Sequence, residues 1–129
     1  MTHQIQIRVY YEDTDLAGIV YYANYLRFIE RARTEWVRDL GIDQSRMKAE
    51  TGTVFVVRRV EADYLSPARF DDLLTVTTAP AQIRPASIIV DQQVRRGDAV
   101  LFTARVTLAA LGPNMRPVRL PAALGATGA

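Results

Sequence analysis

Three carboxylates, Glu12, Asp13 and Asp15, stand together just ahead of a long helical pattern, and few other residues in the chain suit acid–base or nucleophilic chemistry. They sit where the unpaired N–H groups and the dipole of a helix N-terminus favour negative charge. Spacing alone leaves three roles open: capping the helix, holding a metal through an Asp-x-Asp pair, or catalysis. The chain has no cysteine, which excludes disulfides, thiolate nucleophiles and cysteine-containing zinc sites. The only histidine is His3, in a terminal segment expected to be mobile and a poor place for a base. With Ser45, Ser66 and Ser87 as the only serines, the residues argue against a Ser-His-Asp triad, a two-histidine metal motif and a histidine proton shuttle. Catalysis would rest on carboxylates, tyrosines, arginines or backbone amides.

The net charge of +2, from 16 basic and 14 acidic residues, is too balanced for a general nucleic-acid binder. Lys48 is the only lysine, so almost all of the basic charge is arginine, whose planar fork suits phosphate. A length of 129 residues, 49% hydrophobic and 23% charged, fits one globular domain. No apolar run approaches the ~18 residues of a membrane span, and the N-terminus shows no secretory pattern, so a cytoplasmic location is expected.

These chemical groups need elements to position them. Residues 4–11 alternate as a half-buried strand, with Ile5, Ile7, Val9 and Tyr11 on the inner side. The alternation is lost from Glu12 to Val20, a loop in which Gly18 lets the backbone bend or approach a ligand closely. From about Tyr22 to Leu40 the period becomes helical, with Tyr25, Leu26, Ile29, Ala32, Trp36, Val37 and Leu40 in one stripe, and Gly41 ends the helix. A short helix capped by Asp43 and closed by Gly52 follows. Strands are expected over 53–65, with a bulge near Arg58-Arg59, and over 73–81, 87–96 and 100–110, with a hairpin turn at Gly97-Asp98. A turn at residues 112–114 leads into 116–120, and a disordered tail is expected from about residue 122 to 129. One helix roughly 27 Å long must be covered by the sheet, giving an α+β class.

The run Tyr11-Glu12-Asp13-Thr14-Asp15-Leu16-Ala17-Gly18-Ile19-Val20-Tyr21-Tyr22-Ala23-Asn24-Tyr25, followed by Phe28-Ile29-Glu30-Arg31-Ala32-Arg33-Thr34-Glu35, closely resembles the hotdog-fold acyl-CoA thioesterases of the 4-hydroxybenzoyl-CoA thioesterase family, and within it the Tol-Pal system-associated (YbgC-like) branch. Phe55-Val56-Val57-Arg58-Arg59, the segment from Tyr64 to Leu73, and Arg116-Pro117-Val118-Arg119-Leu120-Pro121 look like the same branch, so the resemblance spans about residues 5–121. It implies a hotdog fold, one long helix wrapped by an antiparallel sheet of about five strands. The activity implied is hydrolysis of an acyl-CoA to free acid and CoA, without metal or redox cofactor.

By the same resemblance Asp15 matches the essential carboxylate, as nucleophile or as base for a water, and the helix start near Tyr22 supplies a backbone amide to the thioester carbonyl. Many members of the branch carry histidine where this chain has Tyr22, which keeps a backbone donor but removes the imidazole. Gly18 and Val20 are expected beside the substrate. Arg58, Arg59, Arg84, Arg116 and Arg119 are candidates for the CoA phosphates, and Ser87 for the pantetheine arm. A homodimer is expected, with a homotetramer favoured and residues of both chains around the substrate. The rival reading is a non-catalytic acyl-CoA or acyl-carrier-protein binder associated with the cell envelope, and a metal-dependent hydrolase using Glu12, Asp13 and Asp15 is a third.

Overall fold

The computed structural model describes residues 2–127. Strand β1 (His3–Arg8) leads through a loop into helix α1 (Asn24–Asp39) and short helix α2 (Gln44–Thr51); β2 (Val54–Tyr64), β3 (Leu73–Ile83), β4 (Ser87–Arg96) and β5 (Ala99–Leu111) follow, then a helical turn, α3 (Ala122–Gly125). The strands form one antiparallel sheet in the order β1-β3-β4-β5-β2, so β1 and β2 are its edges. The α+β arrangement expected from the sequence is the one found.

Helix α1 forms because its apolar positions recur at helical spacing, and it buries Tyr25, Phe28, Ile29, Ala32, Trp36 and Val37 against one face of the sheet. The opposing residues come from alternate positions: Leu74 and Val76 on β3, Ile88, Val90 and Val94 on β4, and Phe102, Val106 and Leu108 on β5, all buried. Three positions differ from the expected stripe. Leu26 is exposed while Phe28 is fully buried, because the buried arc is centred nearer Phe28 and Ile29. Arg33 is buried too, where its guanidinium donates to Gln92 Oε1 at 3.0 Å and pairs with Glu30.

The parity change in β2 is a true bulge, with the register against β5 slipping between Val57 and Arg59. Asp43 caps α2 by accepting the Arg46 N–H at 3.0 Å, and Gly52 closes it at φ +72, packed so tightly against Pro113 that a Cβ would lie 2.3 Å from that ring. β1 ends earlier than expected. The Asp13 carboxylate accepts the Tyr10 N–H at 2.8 Å and turns the chain, so Tyr11 is 82% exposed rather than inward.

Residues 116–120 form no strand; they make a bridge from Pro117 to Leu111, accept the Gly112 N–H at the Arg116 carbonyl, and donate single hydrogen bonds from Val118 to Ala110 and from Leu120 to Pro85. A proline there removes a ladder donor. The expected disordered tail needs correction over 122–125, which are helical with Leu124 fully buried; residues 128–129 lie outside those described. Leu124→Ala should therefore lower stability by roughly 2–5 kcal/mol, the range for emptying a fully buried leucine site. Urea unfolding measures it, and a change near zero would show that the tail does not pack.

Candidate active site

The loop carrying the three carboxylates is built by short-range bonds. Tyr11–Asp13 form a single 3-10 turn, closed by Thr14 Oγ1 donating to the Tyr11 carbonyl at 2.7 Å. A tighter reversal follows, in which the Asp15 N–H donates to the Ile19 carbonyl at 2.9 Å and the Gly18 N–H to the Asp15 carbonyl at 3.0 Å. Gly18 has φ +79 with open space around its Cβ position, so what this position requires is backbone conformation rather than room. The Ala17 N–H donates to Asp15 Oδ1 at 2.9 Å, an Asx-type bond that orients an otherwise exposed carboxylate. Glu12, Asp13 and Asp15 do not converge, and among the described residues no group of three or more acidic, histidine or cysteine side chains is placed to hold a metal.

The loop is bolted to its surroundings. The Asp13 carbonyl accepts both the Tyr21 N–H and Asn24 Nδ2, each at 2.9 Å, so the loop and the first turn of α1 share one anchor. Val20, buried, donates its N–H to the Ala68 carbonyl at 2.8 Å, and Ile19 bridges Arg69. Helix α1 then begins at Ala23 with no side-chain cap, which leaves its first N–H groups free of an internal side-chain acceptor. The adjoining Tyr22 carbonyl accepts the Tyr64 hydroxyl at 2.9 Å.

Beside this turn is a pocket of about 310 Å³ lined by Ile19, Val20, Tyr22, Tyr25, Tyr64, Leu65, Ser66 and Pro67. Tyr25 stacks on Phe102 with centroids 5.1 Å apart, and its hydroxyl accepts the Ala68 N–H at 3.0 Å. Burial pushes the Tyr25 and Tyr64 hydroxyls above the ordinary phenol value, so both remain protonated. Asp15 lies on a neighbouring hollow of about 740 Å³ with Tyr11, Thr14, Leu16, Gly18 and Phe70, open to solvent in the single chain. Tyr21 links the two. Its hydroxyl is raised first by a hydrogen bond with Tyr22, with smaller contributions that include the Asp15 charge.

The sequence candidates fall into two groups. Asp15 and Gly18 line the open hollow while Val20 and Tyr22 line the pocket beside it, all on the loop leading into α1, with Tyr22 bonded to Tyr64 on the Tyr64–Phe102–Val94 rung of the sheet. Ser87 lies on the Val56–Ala109–Ser87 rung; the bulge that carries Arg58 and Arg59 adjoins it, Arg84 is joined to Ser87 by a backbone bond of 2.9 Å, and the 116–120 segment runs alongside Ala110 and Leu111. Arg59 is ion-paired with Glu61 at 3.1 Å. The two rungs are about 24 Å apart at ~3.4 Å per residue. Sequence reasoning missed Tyr64 and Tyr21 as parts of the site; a strand-end tyrosine bonded to a backbone carbonyl 42 residues away leaves no local signal.

The profile of the thioesterase superfamily matches residues 17–107. The acyl-CoA thioesterase YbgC of Haemophilus influenzae is 42% identical over 116 residues, covering 89% of this chain and 85% of its own, and the acyl-CoA thioester hydrolase YbgC of Escherichia coli O6:H1 is 40% identical over 117 residues, covering 89% and 87%. The crystal structure of a probable thioesterase from Bartonella henselae superposes with a TM-score of 0.90 at 37% identity, covering 94% of this chain and all of that one.

The wall formed by residues 66–72 makes a pH prediction. Burial tends to raise the Asp72 carboxyl, but the Arg69 N–H at 2.8 Å and the Arg96 guanidinium at 2.9 Å outweigh it and hold Asp72 below the ordinary value. A lowered folded-state pKa gives stabilisation that is fully present above the unfolded value of about 4 and is lost as pH falls through the folded one. Asp72→Asn should lower stability by about 0.5–1 kcal/mol at pH 7 and by much less near pH 2, the size expected of a partly exposed ion pair. Urea midpoints at the two pH values check this, and an equal loss at both would contradict it.

Proposed function

The chain belongs to the thioesterase superfamily and hydrolyses acyl-CoA thioesters; from that premise we propose that Asp15 carries the reaction and that the uncapped start of α1 holds the carbonyl oxygen. The observation that supports this is the Gly18 reversal, which leaves an oriented, solvent-open carboxylate on the loop that leads into the uncapped start of α1. Asp15 attacks the carbonyl to form a mixed anhydride that water then cleaves, or it deprotonates the attacking water; both routes consume one water and release free acid and CoA thiol. Negative charge on the carbonyl oxygen is met by backbone donors, a contribution of ~2.7–4 kcal/mol in comparable sites. The leaving thiol has a pKa near ~8.5 and needs little protonation, so the absence of the branch's histidine is tolerated. Tyr22 contacts the substrate at the mouth of the pocket, and Gly18 and Val20 line the approach.

The acyl group enters the pocket beside Tyr22, Tyr25 and Tyr64. Its volume of about 310 Å³ favours a short aliphatic or single-ring acyl group over a long chain. The CoA phosphates are bound by arginines, Arg58, Arg59, Arg84, Arg116 and Arg119, with Ser87 on the pantetheine arm. Ser87, Arg84 and the 116–120 segment lie at the far end of the same chain's sheet, with Arg58 and Arg59 at the middle of β2, which supports a site completed by a second copy. β2 is an edge strand with Val57, Val60 and Tyr64 exposed, and antiparallel pairing of two β2 strands about their middle sets the Val54 end of one beside the Tyr64 end of the other. The outer sheet face, by contrast, carries Gln6, Thr75, Gln93, Asp91, Arg105 and Glu61, so the exposed apolar surface supports a homodimer more directly than the homotetramer.

Among the described residues no helix is long and apolar enough to cross a membrane. We read the site of action as the cytoplasm, where CoA esters are made and used; a link to Tol-Pal envelope proteins or to an acyl carrier protein rests on the resemblance alone.

Asp15→Asn should lower kcat by roughly 10²–10⁴-fold with the fold intact, measured as thiol release from a panel of acyl-CoA esters. Wild-type rates in this variant would overturn the mechanism. Light scattering of the wild-type chain at micromolar concentration should give the mass of two chains, and a fully active monomer would refute the shared site.

A further inference from the structure

Tyr25 and Tyr64 both commit their hydroxyls to the backbone around the pocket, and Tyr64 is the one whose bond falls on the residue before the helix start. Its hydroxyl donates to the Tyr22 carbonyl at 2.9 Å across 42 residues of sequence. Its ring is held edge-on by Phe102 at 4.9 Å, by Tyr25 at 5.5 Å and by Tyr22 at 6.2 Å. Phe102 and Tyr25 are buried and stacked on each other, so the hydroxyl is delivered from the rigid part of the molecule.

The turn that receives this bond is anchored to the acidic loop, and Tyr64 supplies a tie from β2. Ala23 offers no side-chain cap, and the Tyr22 side chain is 62% exposed. Asn24 and Tyr21 tie the turn to Asp13 on one side; Tyr64 ties it to the sheet on the other. The peptide group between Tyr22 and Ala23 is planar, so holding its oxygen sets the plane and, through the Tyr22 torsions, the aim of the neighbouring N–H groups.

We propose that Tyr64 is a positioning residue for thioester hydrolysis: by holding the Tyr22 carbonyl it fixes the turn whose N–H groups receive the negative oxygen of the reacting carbonyl. This deepens the proposed mechanism and rests on it. A donor group aimed in advance is worth more in the transition state than in the ground state, because no reorganisation is needed as charge develops. The effect of losing the hydroxyl therefore falls on kcat rather than on KM. The bond itself lasts through the working pH range, since burial keeps the Tyr64 phenol protonated.

Tyr64→Phe removes the hydroxyl and keeps the ring contacts. It should lower kcat about 5- to 30-fold, as expected for one lost orienting hydrogen bond, with KM changed less than about twofold. Thr51→Val, which removes a hydroxyl bonded to the Met47 carbonyl on α2, serves as the comparator for a purely structural loss and should leave kcat and KM both unchanged. A second measurement needs no turnover: a ketone analogue of the CoA ester, with CH2 in place of sulfur and a 13C-labelled carbonyl, should show an infrared carbonyl shift on binding the wild-type chain that shrinks in Tyr64→Phe. Wild-type kcat in Tyr64→Phe, a loss confined to KM, or an unchanged carbonyl shift would each overturn the proposal. If the wild-type chain itself released no thiol from any ester, the mechanism it rests on would fall with it, whereas wild-type turnover with an unaffected Tyr64→Phe rejects the positioning role alone.

Discussion

The stacking of Tyr25 on Phe102, with ring planes 15° apart, joins the first turn of α1 to the middle of the sheet, and the loop, the pocket and the candidate catalytic groups take their positions from that contact. Phe102 belongs to β5, an interior strand paired on both sides, so it moves only if the whole sheet moves. Tyr25 is one residue inside the helix. Its hydroxyl, held in the apolar interior, satisfies the Ala68 N–H, and Ala68 in turn accepts from Val20. An aromatic pair of this kind adds about 0.5–1.5 kcal/mol beyond its area. Its larger effect here is geometric, because one side chain fixes the helix start, the 66–72 wall and the end of the acidic loop together.

A second interaction sets how the rest of α1 lies. Gln92 donates through Nε2 to the Ile29 carbonyl at 3.0 Å and to Thr78 Oγ1 at 2.9 Å, while its Oε1 accepts from Arg33. Burial pulls the Arg33 guanidinium below its ordinary pKa, and the Glu30 charge opposes that shift. Buried charge is costly, and a hydrophobic replacement of similar volume is often no less stable. What the network supplies is registry: apolar contacts tolerate sliding along the helix axis, whereas hydrogen bonds to Ile29, Thr78 and Gln92 are satisfied in one position only. Seven residues upstream of Ile29 lies Tyr22, where a slide of one ångström would matter to a hydrogen bond.

The parts of this arrangement that repeat were legible in the chain. Period-2 alternation in β4 and β5, the parity change at Arg58-Arg59, and the caps at Asp43 and Gly52 each follow from local rules, and each is found. Asp15 emerged differently, since spacing left capping, metal and catalysis open and only the resemblance separated them. What stayed hidden depends on partners distant in sequence. Arg33 reads as a surface charge until Gln92, 59 residues away, is placed against it. Leu124, alone in a stretch of alanine and glycine, gives no periodic signal yet fills a buried place. Tyr11 continued an alternation that the Asp13 carboxylate interrupts, a side-chain bond overriding a pattern.

The same dependence on distant partners explains why the site is open in one chain. Leu16, Tyr11 and Phe70 are exposed around the Asp15 hollow, and Val57, Val60 and Tyr64 are exposed along β2, so the apolar surface left uncovered by the fold is concentrated beside the chemistry. Neither α2 nor α3 covers those side chains, and among the described residues the sheet has no strand beyond β2. β2 is left with one unpaired edge, and an edge strand of this kind is open to pairing with another strand. Within one chain the two groups stay separate: about 24 Å, seven residues of β5, lie between the rung beside Tyr22 and the rung beside Ser87, so no one end of the sheet carries both the acidic loop and Arg84, Arg116 and Arg119.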